Sequence, residues 1–246
     1  MRVIISPAKK MNVDTDTLEP AGLPVFLKKT EEIMEWMQSL SFSEAKKLWG
    51  CNEKIAELNF KRFEEMELRR GLTPALLSYE GIQYQYMAPA VFEEGQYEYV
   101  QEHLRILSGF YGVLRPMDGV TPYRLEMQAK VKLSGKKDLY DYWGERLYRE
   151  ILDESRIIVN LASKEYSRCV ERYLCPQDTF ITCVFGEYVN GKVRQKGTYA
   201  KMARGEMVRF MAENKIDCPE EMKNFRRMGY VFREELSDKQ NYVFVQ

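Results

Sequence analysis

Histidine is nearly absent from this 246-residue chain, and His103 is the only one. A zinc site of mixed Cys and His ligands, or a Ser-His-Asp triad, would have to use that one residue. It precedes Leu104 and Leu107 on a stretch patterned as an amphipathic helix, which favours a structural role. The five cysteines (Cys51, Cys169, Cys175, Cys183, Cys218) are odd in number, scattered and without a CxxC pair. Reduced, mostly structural thiols are expected, not a disulfide framework. No segment approaches the roughly 18 consecutive apolar residues of a membrane span. The opening residues Met1 to Pro7 lack a signal peptide's long apolar region and read directly as a strand. Charge of either sign is not in excess: Lys+Arg and Asp+Glu stand at 37 each. A uniformly basic nucleic-acid binder is thereby excluded, so a phosphate-binding surface must come from segregated charge. These absences predict a cytoplasmic protein with no membrane span, no metal centre and no cofactor.

What is present is a substantial core, with 45% hydrophobic and 13% aromatic residues. The length would serve one large domain or two small ones, but no linker, low-complexity tract or internal repeat marks a boundary, so residues 1–246 are read as one compact domain. Residues 3–6 pattern as a buried strand ended by Pro7. Helical periodicity is expected over 24–40, 43–49 and 52–66, with a tight break at Gly50-Cys51, and again over 96–107. Residues 74–95 are irregular and aromatic. Between 123 and 133 the alternation is clean: Leu125, Met127, Ala129, Val131 and Leu133 against Arg124, Glu126, Gln128, Lys130 and Lys132. That period of two predicts a strand with one polar face. A helix over 138–153 capped by Asp138, a strand over 157–161 and a helix over 163–174 capped by Ser163 follow. Strands at 180–185 and 187–195, the latter turning at Asn190-Gly191, precede a helix over 198–214 and a closing strand pair at 230–232 and 242–245. This order predicts an α/β fold, a mixed sheet flanked by helices.

Four segments concentrate polar residues that a core does not need. In Ile5-Ser6-Pro7-Ala8-Lys9 a strand stops and delivers Ser6 and Lys9 to its carboxyl edge, where open α/β sheets bind ligands. An ordinary strand-exit loop has the same sequence. From Leu107 to Met127 two glycines, Gly109 and Gly112, permit close backbone approach, and Arg115 and Arg124 sit beside prolines. Guanidinium groups on stiff backbone suit bidentate phosphate or carboxylate recognition. They equally suit an internal network with Asp118 and Glu126, and spacing does not separate the two. In Val159 to Tyr166 a strand passes into a helix whose free N–H groups form an anion site, to which Asn160 and Ser163 add donors; plain capping by Ser163 is the alternative. From Lys192 to Arg209 the cations Lys192, Arg194, Lys196, Lys201, Arg204 and Arg209 face one acid, Glu206. Lys201 and Arg204 share a helix face. A solvated face is the usual meaning of such a run, but its concentration in a neutral chain points toward phosphate.

The motifs ISPAK (5–9), HLRILSGFYGVLRPMDGVTPYRLEM (103–127), KDLYDYWG (137–144), NLASKEY (160–166), AKMARGEM (200–207) and Gly229-Tyr230 resemble, in order and from end to end, the YaaA family of peroxide-stress proteins. The resemblance implies a cytosolic protein that helps cells survive hydrogen peroxide by limiting unincorporated iron and oxidative DNA damage. It also implies an unusual α/β topology, and binding of duplex and distorted DNA through a positive cleft and a helix-hairpin-helix element. Two positions depart from the family pattern: Tyr86 and Gln128 stand where glycine is usual, which predicts a narrower pocket nearby.

The helix-hairpin-helix element maps near 43–66. Leu48-Trp49-Gly50-Cys51-Asn52-Glu53-Lys54-Ile55-Ala56 carries Asn52 at the second glycine position, where a left-handed conformation is expected, and Ala56 as the small residue. Lys54, Lys61 and Arg62 would then help its turn hold a DNA phosphate. A simple αα-hairpin fits the same residues.

Two functions from different classes remain in view. The first is a monomeric, sequence-tolerant DNA-binding protein using Lys54, Lys61, Arg62, Arg115, Arg124, Lys130, Asn160, Ser163, Lys201 and Arg204. The second is an enzyme acting on a nucleobase, nucleoside or nucleotide through the Arg115/Asp118/Arg124/Glu126 cluster, with Lys9, Tyr111, Asp118 and Glu126 as acid–base candidates. Direct iron binding has the least support, since no His-carboxylate cluster is available.

Overall fold

A computed structural model describes residues 1–246. Its centre is an eight-stranded mixed sheet. The strands are β1 (Arg2–Ile5), β2 (Leu104–Ser108), β3 (Gly112–Leu114), β4 (Ile157–Leu161), β5 (Thr179–Val189), β6 (Lys192–Arg194), β7 (Val231–Phe232) and β8 (Asn241–Val245). Their spatial order is β7-β8-β5-β4-β1-β2-β3, with β6 paired on β5. Strands β1, β2 and β4 read as near-continuous apolar runs because both faces are covered, and every residue of β2 is buried.

Five strands run parallel: β2 on β1, β1 on β4, β4 on β5, and β5 on β8. Counted among themselves in chain order, they lie 2-1-3-4-5, the doubly wound order of flavodoxin-like sheets. The chain leaves β1 for a neighbour on one side and returns to place β4 on the other. That reversal opens a crevice at the carboxyl ends of β1 and β4. The antiparallel strands β3 and β7 finish the two edges.

The helices are α1 (Leu27–Gln38), α2 (Phe42–Trp49), α3 (Glu53–Glu64), α4 (Ile82–Met87), α5 (Glu94–His103), α6 (Leu139–Trp143), α7 (Arg146–Ile151), α8 (Lys164–Glu171) and α9 (Gly197–Asn214). The long α9 lies on β5 and packs along α4 and α5. Its crossing with α4 is so close that a Cβ on Gly205 would sit 2.1 Å from the Gln83 carbonyl oxygen. A continuous cluster of 62 buried apolar residues joins these layers. No helix is long and apolar enough to cross a membrane.

Several local expectations change. Residues 104–107 do not extend the preceding helix; they form β2. A short apolar run buried on both faces carries no periodicity that separates helix from strand. Residues 123–133 alternate as expected, the apolar set buried through Val131 and the polar set running from partly buried Arg124 and Glu126 to exposed Gln128, Lys130 and Lys132, but they pair with no strand. Their backbone is instead held by side chains and by close packing, described below. The helix expected over 138–153 is two, α6 and α7, broken at Gly144 with φ 56°. At the helical hairpin, Gly50 alone is left-handed (φ 55°), ending α2. Asn52 is extended (φ −70°, ψ 167°) and caps α3, its side chain accepting the Ile55 N–H. An Asn side chain offers the cap a better acceptor than a second left-handed residue would. The Asn190-Gly191 turn has both residues at positive φ, as a two-residue hairpin requires.

Candidate functional site

The carboxyl ends of β1 and β4 are pinned together by two serines. Ser6, the first residue after β1, accepts the Ser163 N–H at 2.8 Å and donates its hydroxyl to Ser163 Oγ at 3.2 Å. Ser163 therefore occupies the N-cap position of α8 without capping it with its side chain. Pro7 ends β1 here because it has no N–H to continue the ladder.

A second wall is the extended stretch 123–126. Gly109 makes its position possible, since a Cβ there would lie 2.5 Å from the Leu125 carbonyl oxygen. From the other side Trp49, at the end of α2, donates its indole N–H to the Arg124 carbonyl at 2.5 Å. Tyr123 is fixed through its hydroxyl, which is 2.8 Å from Tyr79 Oη and 2.6 Å from Ser108 Oγ. Ser108 Oγ in turn accepts the N–H groups of Phe110 and Tyr111. The helical hairpin and the glycine-rich turn thus act on the site through the backbone of this stretch.

Between these walls and α9 lies a cavity of about 530 Å³. Its cations are Lys9, Lys10, Arg124, Lys201 and Arg204, and its carboxylates Glu80, Glu126 and Glu165. Lys10 pairs with Glu80 at 2.6 Å. One oxygen of Glu126 takes both Arg124 Nη2 and Lys9 Nζ at 3.1 Å. Arg124 and Glu126 are largely buried, their side chains 12% and 13% exposed. Glu165 accepts the Gln128 N–H at 3.3 Å, and burial raises its carboxyl above the ordinary range, with the Glu126 charge adding to the effect.

Arg204, like Arg124, has a buried Nε without a hydrogen-bond partner, but unlike Arg124 it pairs with no carboxylate. Burial lowers its guanidinium pKa, and no carboxylate offsets that. The acids that α9 itself carries are engaged elsewhere: Glu206 with Arg227 and Glu213 with Arg209 and Arg227. A buried Nε without an acceptor is costly to fold around, and a guanidinium with no carboxylate partner is poised to receive an anion. Three tyrosines, Tyr84, Tyr123 and Tyr166, complete the lining. Burial pushes the Tyr123 hydroxyl up to about 12 and those of Tyr84 and Tyr166 well above their usual value. All three are neutral hydrogen-bonding rings at physiological pH.

Of the residues singled out from sequence, Lys9, Arg124, Glu126, Ser163, Lys201 and Arg204 meet in this cavity. Arg115 and Asp118 do not. They line a second cavity of about 270 Å³ with Gln101 and Glu150. The four-residue cluster is therefore divided between two places. Asp118 accepts the Arg115 N–H at 2.8 Å, and burial pushes its carboxyl up to about 6. Arg115 reaches toward Glu150 at 3.9 Å. Asn160 is buried beneath the first cavity, donating to Thr182 Oγ1 and accepting the Ala162 N–H. Tyr111 is buried in a cluster of rings with Phe110 and Tyr123. Lys130 is exposed and lines neither cavity. Lys54, Lys61 and Arg62 lie on α3 outside both, with Lys61 near Glu65 and Arg62 reaching the Met11 carbonyl. Tyr86 and Gln128 line neither cavity, although the Gln128 N–H bonds the lining residue Glu165. His103 Nδ1 donates to the Met1 carbonyl at 2.9 Å.

Sequence reasoning passed over Glu165, Tyr166 and Tyr84. The first two adjoin Ser163 in the SKEY run, and an acid in the first turn after a strand exit was the available signal. Tyr84 lies in an aromatic stretch without periodicity and gave none.

Five parallel strands in 2-1-3-4-5 order, with a mixed-charge cavity at their reversal point, define an α/β protein whose candidate site lies where open sheets of this kind hold ligands. The sequence matches the family described as peroxide stress protein YaaA over residues 1–236, and the chain belongs to that family. It is 63% identical over 244 residues to a UPF0246 protein of Agathobacter rectalis, covering 99% of this chain and 98% of that one. A UPF0246 protein of Lachnoclostridium phytofermentans is 56% identical over 246 residues, covering 100% and 96%. One from Desulfitobacterium hafniense is 53% identical over 246 residues, covering 100% and 98%.

Proposed function

We propose that this peroxide-stress protein is a cytoplasmic, monomeric DNA-binding protein that limits iron-driven DNA damage, holding phosphate of duplex or distorted DNA through Lys201, Arg204 and Arg124. The observation that carries the reading is Arg204, buried at the cavity without an acceptor for its Nε. Phosphate supplies the charge and the in-plane oxygens that a guanidinium fork lacks here. Contacts of this kind carry no base information, which makes the binding tolerant of sequence.

The test is a salt-titrated binding assay on duplex and bubble DNA. Affinity should fall steeply with salt, and neutral replacement of Lys201 and Arg204 together should reduce the slope of log K against log salt by about two. It should weaken unrelated sequences by a similar factor. A salt-insensitive affinity, or no binding to either DNA at low ionic strength, overturns the proposal.

A second reading, an enzyme acting on a nucleobase, nucleoside or nucleotide, is favoured by one observation. Glu126 and Glu165 share the cavity with the cations, and a phosphate clamp has no use for carboxylates.

A further inference from the structure

The cavity's charges are sorted by wall. Lys201 and Arg204 come from α9, and burial and a neutral thiol, Cys183, are what act on Arg204. Glu126 and Glu165 come from the opposite side, from the 123–126 stretch and the start of α8, and they influence one another. Glu126 is oriented by its ion pairs with Arg124 and Lys9. Glu165 accepts from the backbone of the 127–128 stretch, with the Gln128 N–H at 3.3 Å, and has no cation within pairing distance. The α9 side therefore carries cations without carboxylate partners, and the other side carries Glu165 without a cation partner beside the paired Glu126. Neutral tyrosine rings line the space between them.

We infer that the cavity binds a single nucleotide whose base carries an exocyclic amino group, with its phosphate on Lys201 and Arg204 and its amino edge on Glu126 and Glu165. The inference rests on the reading that a nucleotide, free or as one unit of a DNA strand, enters the cavity. The volume of about 530 Å³ is within the range of small-molecule sites. A carboxylate accepts readily from the amino groups of cytosine or adenine, and the carbonyl oxygen of thymine or uracil at the same place meets like charge.

The experiment is calorimetric titration of the full chain with dCMP, dAMP, dTMP and inorganic phosphate at one pH and salt concentration, using wild type, Glu165→Ala and Arg204→Met. Wild type is expected to bind dCMP and dAMP at least about tenfold more tightly than dTMP, the discrimination of one good base-edge contact. Glu165→Ala should bring the three nucleotides to within about threefold while leaving inorganic phosphate affinity unchanged, a separation that a merely misfolded variant does not produce. Arg204→Met should weaken all four ligands. If the three nucleotides bind wild type equally, the amino-edge inference is overturned and the nucleotide reading stands. If no mononucleotide binds, both fall, whatever DNA affinity remains. If inorganic phosphate binds as tightly as dCMP, the ring is not held and the inference is again overturned.

Discussion

Replacing Arg204 by Met separates folding from function at one residue. Its Nε is buried and unpaired, and burial lowers its pKa with no carboxylate to offset it. A buried donor without a partner costs about 1–3 kcal/mol. Met keeps most of the unbranched side-chain volume and has good helix propensity, so it removes the cost with little loss of packing on α9. The ligand-free variant should be more stable than wild type by about 1–3 kcal/mol. For a chain of this size that is a rise in Tm of roughly 2–4 °C per kcal/mol. Saturating ligand should reverse the order, because a ligand at 100 times its Kd stabilises wild type by about 2.7 kcal/mol and the variant much less. The assay is chemical and thermal denaturation of both proteins with and without a phosphate-bearing ligand. A ligand-free variant less stable than wild type by more than about 1 kcal/mol would refute the reasoning, since the guanidinium would then be an internal crosslink.

Two further outcomes follow from the geometry. Asp118 has a carboxyl raised from 3.8 to about 6 by burial, so the folded state holds its proton more tightly than the unfolded chain does. Its contribution is fully present below the unfolded value and is lost as pH rises through about 6, a difference of ~3 kcal/mol. Asp118→Asn keeps an acceptor for the Arg115 N–H and should remove this pH dependence; denaturation curves of both proteins between pH 4 and 8 that stay parallel would contradict it. Gly205→Ala places a Cβ 2.1 Å from the Gln83 carbonyl oxygen and 2.9 Å from the Met87 nitrogen. It should destabilise by ~3 kcal/mol or more through forced separation of α4 and α9, and weaken phosphate binding without removing a charge. A gain in stability of about 1 kcal/mol, the intrinsic helix preference of Ala over Gly, would show that the contact relaxes freely.

Much of the site was legible because its residues stand next to strong local signals. Pro7 ends a short apolar strand, so Ser6 and Lys9 had to lie at a strand edge. Ser163 follows a second such strand, and Lys201 and Arg204 share a face of a long helix by their spacing. Local chemistry also marked the Asn190-Gly191 turn and the Gly50 break, where backbone sterics select the residue. The family itself was readable from ordered motifs, and the matching family and relatives agree with it.

The sequence by itself determined the elements whose periodicity is local and the pairing of apolar strands with polar exits. Tertiary structure alone decided which exits face one another. Strand order, set by contacts between residues more than a hundred positions apart, brings Ser6 against Ser163 and leaves Arg115 and Asp118 at another cavity. It also decided that 104–108 is a strand, because burial on both faces erases the period that would reveal it. The alternating residues 123–133 remained an unpaired stretch for a similar reason. Alternation records which side chains are buried, and here Gly109 and Trp49, not a neighbouring strand, hold the backbone that does the burying.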